Sequence, residues 1–119
     1  MWDIPCTGDH MPEYKIDGYA LRLWSSKPTT HLSCSSAVAG IYMYQGETYR
    51  GYIHFYPDGT PLASPYYDKE KGCIYLHFNL SQFDATMDTL RTEDNVHVYY
   101  RSSEKAALRS GKDPTGKEE

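Results

Sequence analysis

Tyr42, Tyr44, Arg50, Tyr52, His54, Tyr56, Cys73, Tyr75, His77, His97, Tyr99 and Arg101 recur at every second position of the chain's strand-like segments. Extended backbone sends alternate side chains to opposite faces. The intervening set, Ile41, Met43, Ile53, Phe55, Ile74, Leu76, Phe78, Val96 and Val98, is purely apolar. One face is therefore a core face. The other carries phenols, imidazoles and guanidinium groups with no carboxylate among them.

A half-exposed sheet often carries Tyr for structural reasons, since cross-strand ring pairs each add about 0.2–1 kcal/mol. Ordinary solvent-facing strands, however, mix in Thr, Lys, Glu and Ser. A face built almost wholly of large rings exceeds the few hundred Å² that monomers usually leave open. Self-association is the leading reading, because interface cores gather Tyr and Arg and shed Lys, Glu and Asp. The alternatives use the same face. A small anionic ligand or a peptide would stack on the rings and meet His54, His77, Arg50 and Arg101. Single-stranded nucleic acid would stack likewise, with Arg50, Arg101, Lys105 and Arg109 as a local basic patch. Nucleic acid ranks below the others, because the net charge is −4 and no RNP-type motif occurs.

Three histidines on one face also raise a zinc reading, since three imidazoles plus water form a catalytic arrangement. It requires His54, His77 and His97 to converge. His54 and His77 become neighbours if the segment 57–72 returns the chain in register, and His97 joins them only from an adjacent strand. No HExxH motif and no acidic partners for the imidazoles accompany them, so no metal and no cofactor are expected. For nucleophilic catalysis the one pairing to consider is Cys73 with His54 or His77. There is no GxGxxG, phosphate-binding loop or GxSxG. A binding or assembly domain is expected rather than an enzyme, with no catalytic residue assigned.

The elements that must hold this face follow from pattern. A length of 119 residues suits one domain. Twelve tyrosines and two tryptophans supply apolar area where aliphatic residues are few. Residues 1–13 read as an irregular arm, residues 14–102 as a single domain, and residues 103–119 as a short helix followed by a disordered charged tail. Within the domain, an extended segment runs from Tyr14 to Trp24 and a polar loop covers residues 25–36. A hairpin turns at Gln45-Gly46-Glu47 and ends at Pro57-Asp58-Gly59. A strand over Cys73–Phe78 leads into a helix with Asn79 as N-cap, Gln82 in a capping box, and a Phe78–Phe83 staple. Leu80, Phe83, Met87 and Leu90 form its apolar stripe. A last strand covers Val96–Arg101. The expected fold is α+β: a single antiparallel sheet of about five strands, order β-β-β-β-α-β, with one amphipathic helix on its apolar face. Three widely spaced cysteines and the lack of an apolar span place the chain in the cytoplasm, away from membranes, with a second copy of itself as partner.

Overall fold

The computed structural model describes residues 12–25 and 37–110. The arm over residues 1–11, most of the polar loop (residues 26–36) and the tail (residues 111–119) lie outside the described residues. The elements in chain order are β1 (Glu13–Ile16), β2 (Gly18–Leu23), β3 (Ala39–Gln45), β4 (Thr48–Tyr56), β5 (Tyr66–Asp68) and β6 (Cys73–Asn79). A 3₁₀ turn at Leu80–Gln82 then leads into α1 (Phe83–Thr92), followed by β7 (Val96–Ser102) and β8 (Lys105–Ser110).

The fold is α+β, but the strands form two sheets where one was expected. Five strands pair in the order β2-β3-β4-β6-β5, and three in the order β1-β7-β8. Pairing is antiparallel except between β4 and β6, which run parallel. The predicted extended segment Tyr14–Trp24 accordingly divides at Asp17, sending β1 to one sheet and β2 to the other.

Both sheets turn their apolar faces inward. Ile41, Met43, Ile53, Phe55, Ile74 and Leu76 of the larger sheet share one core cluster with Ile16, Val96 and Val98 of the smaller sheet and Met87 of α1. The smaller sheet and the helix thus form one layer over the larger sheet. Two apolar faces in contact remove the most hydrocarbon from water, and they leave the outer faces of the two sheets pointing in opposite directions.

Two local expectations are corrected. The predicted short helix after residue 103 is instead strand β8, which pairs with β7 and packs Ala106 and Leu108 against the core. Apolar burial in a hairpin outweighs the weak helix propensity of so short a segment. The helix start also differs: the Asn79 side chain makes no capping bond, and the Ser81 backbone N–H donates to Asp58 Oδ1 at 3.1 Å. The Pro57-Asp58-Gly59 turn therefore caps the turn that opens the helix from a distance in sequence. Leu80 is exposed and leaves the predicted stripe, whereas Phe83 meets Phe55 edge to face at 5.1 Å.

Candidate functional site: the aromatic sheet face

The outer face of the five-stranded sheet takes its side chains from alternate positions on each strand. Tyr42 and Tyr44 come from β3, Tyr52, His54 and Tyr56 from β4, and Tyr75 and His77 from β6. The parallel register pairs Tyr52 with Tyr75 and His54 with His77, so the predicted imidazole pair does meet. Their ring centroids are 6.4 Å apart. Cys73 lies at the start of the same row of β6 but is buried, its thiol donating to the carbonyls of Tyr49 and Lys71. Two strand repeats, about 13 Å of rise, separate Cys73 from His77, and the Tyr75 row lies between them. The Cys–His nucleophile pairing does not form.

Four of the expected residues lie elsewhere. Register shifts between Met43 and Tyr44, so Met43 pairs with Gly51 while Tyr44 pairs with Tyr49. The bulge skips Arg50 and exchanges the faces on either side of it. Tyr49 thereby joins the aromatic face, and Arg50 turns inward over the ring of Tyr14, with its guanidinium carbon 3.9 Å from the centroid. Arg50 also donates to Gln45 Oε1 and the Gly72 carbonyl. It pins the ends of the two sheets together and is not available to a ligand on the aromatic face. His97, Tyr99 and Arg101 belong to β7, whose outer face is on the far side of the molecule. The three histidines therefore do not converge, because Val96 and Val98 fill the core between the sheets.

Other residues take their places. Trp24, just past β2, sets its indole edge against the His54 ring at 5.6 Å. The space for it comes from Gly40, where any Cβ would stand 2.8 Å from the indole. Arg22 lies over the Tyr42 ring at 5.1 Å, and Tyr66 of β5 lies parallel to Tyr75 at 6.1 Å. Gly51 inside a strand-like run is the signal that foretells the bulge. Tyr66 sits in a stretch broken by prolines, and nothing local marks it as part of the face.

The rings pack on one another. Tyr52 and His54 stack at 3.8 Å with planes 11° apart, and Tyr52 tilts against Tyr75 at 4.6 Å. Residues two apart on a strand that stack in this way stand upright from the sheet, with their edges and polar tips outward. Tyr42 Oη lies 3.5 Å from His54 Nε2, and Tyr56 Oη lies 3.1 Å from His77 Nδ1. Burial among the rings holds His54 near pKa 4, with the neighbouring His77 pushing the same way. Burial lowers His77 as well, and it raises Tyr75 to about 12, with its Cys73 hydrogen bond acting in the same direction. The face is therefore uncharged at neutral pH apart from its rims. Arg22 marks the β2 edge. Asp68, across from Cys73, marks the β5 edge, its carboxylate accepting from the Glu70 and Lys71 backbone N–H groups. Such a surface offers apolar ring edges, hydroxyls and neutral imidazoles, groups suited to contact and hydrogen bonding.

No family model, curated protein or solved structure matches this chain. Among the described residues, no group of three or more His, Cys, Asp or Glu side chains is placed to hold a metal ion, and no helix is long and apolar enough to cross a membrane.

Proposed function

We propose that this chain is a small assembly domain whose aromatic sheet face packs against the same face of a second copy. The observation that carries the reading is the face itself, a continuous field of rings from Trp24 to Tyr66, most of them half-buried, that is charged only at its rims. Five strands spaced by about 4.8 Å, with 32 residues between them, give a footprint of roughly 500 Å² before side-chain relief is counted. Standard interfaces bury about 800 Å² per partner, so a ring-studded face of this footprint is of the right order. A two-fold axis roughly along the strands lays the β2 edge of one copy over the β5 edge of the other.

The same geometry counts against single-stranded nucleic acid on this face. Stacking platforms turn their ring faces to solvent, whereas Tyr52 and His54 turn theirs on each other. Arg50 and Arg101, the cations that would have met phosphates, are placed away from it. A small ligand or peptide is the competing occupant, and a cytoplasmic setting with reduced thiols belongs to this proposal as well.

Sedimentation of the full chain over a wide concentration range tests the reading. A dimer that becomes monomeric on Tyr75→Arg, with helix and strand signals retained, supports it. A monomer at every concentration overturns it.

A further inference from the structure

On the opposite side of the molecule, Lys15, His97 and Arg109 are successive cross-strand partners and form one row across the three-stranded sheet. Tyr99, two residues further along β7, has the Arg101 guanidinium over its ring at 4.6 Å. Lys15, Arg101 and Arg109 are exposed. The carboxylate among them is Glu13, which pairs with Arg109. Lys15, Arg101 and Arg109 thus share this face with Glu13 on a chain whose net charge is −4.

His97 adds a donor to the row. Its Nδ1 is buried and has no hydrogen-bond partner among the described residues. A buried N–H without an acceptor is the rarer and costlier arrangement, which favours the tautomer that carries its proton on Nε2. Burial and the two flanking cations, Arg109 and Lys15, favour the neutral ring, with Glu13 opposing them. The row therefore presents an ammonium, a neutral N–H and a guanidinium on strands spaced about 4.8 Å apart.

We propose that this row is a binding site for a phosphoryl group, with the Arg101–Tyr99 stack beside it as a platform for an attached planar ring. A phosphoryl group presents several acceptor oxygens at a spacing that long cationic side chains on adjacent strands can reach together. Arg109 serves both neighbours, because a guanidinium has five N–H donors and Glu13 engages only part of the fork. The Glu13 contact orients that fork over the sheet. This site lies on the outer face of the smaller sheet and does not depend on whether the aromatic face assembles.

The test is titration of the full chain with inorganic phosphate and, separately, with adenosine monophosphate, following the His97 ring resonances by NMR. Saturable shifts are expected, and Lys15→Gln should weaken binding by at least about tenfold while the melting temperature is unchanged. Tighter binding of the nucleotide assigns the base to the Arg101–Tyr99 stack, and equal binding assigns the site to the phosphoryl group alone. Both outcomes support the site. Shifts that never saturate with either probe, or affinity unaltered by Lys15→Gln, overturn it.

Discussion

Gly51 faces Ile74 across the parallel β4–β6 pair so closely that a Cβ on Gly51 would stand 1.8 Å from the Ile74 carbonyl oxygen. Its φ of 124° is also one that other residues avoid. The bulge beside it decides that Tyr49 joins the aromatic face and that Arg50 turns inward. Gly51→Ala should therefore cost at least about 3 kcal/mol, since it combines a backbone clash with a strained φ. Urea unfolding reads this directly. A loss below about 1 kcal/mol would mean that the strands part without penalty and that the bulge is not rigid.

The alternation of β3, β4 and β6 was legible in the sequence because the period of two is strict and both sets are chemically uniform. Ile53 and Phe55 inside, with His54 between them outside, follow from that pattern alone. Chain pairing was not legible. Val96 and Val98 fit an apolar sheet face equally well whether they lie beside Leu76 in one sheet or opposite it in another. Placing His97, Tyr99 and Arg101 on the same face as His54 was the consequence. Arg50 was misplaced for a different reason: one inserted residue inverts parity, and a lone Gly in a strand marks that insertion only weakly.

Protonation of the imidazoles opposes folding. The folded-state pKa of His54 is lowered from its ordinary 6.5 to about 4, and that of His77 is lowered too. Between pH 6.5 and about 4 the unfolded chain binds more protons than the folded one, so stability rises with pH across this window and is lost as pH falls through it. Carboxylates titrate in the lower part of the same range, so the comparison is between wild type and His54→Gln. Urea midpoints measured from pH 7 to pH 4 should fall less steeply for the variant. Parallel slopes would show that His54 titrates normally in the fold.

Tyr56 is buried and its hydroxyl lies 3.1 Å from His77 Nδ1. Tyr56→Phe keeps the ring and removes the hydroxyl, leaving a half-buried imidazole nitrogen without this partner. The expected loss is about 1–2 kcal/mol, accompanied by a change in the His77 pKa seen by NMR titration. An unchanged His77 titration would show that this hydrogen bond does not form in solution.

Gly40 is the position at which the aromatic face can be altered with little disturbance of the core, because its missing side chain would point outward. A Cβ there would meet Trp24 at 2.8 Å and His54 Cδ2 at 3.1 Å, and the branched side chain of Gly40→Val would press further into the indole. The indole sits on a strand end and can swing away, whereas His54 is held between Tyr52 and Tyr42. Displacing Trp24 should restore water to one edge of His54. In a Trp2→Phe background, Gly40→Val is expected to shift Trp24 emission to the red and to raise the His54 pKa from about 4 towards 6.5. The two signals should move together, since one ring covers the other. A red shift with an unmoved His54 pKa would mean that Tyr52 and Tyr42, and not Trp24, supply the desolvation.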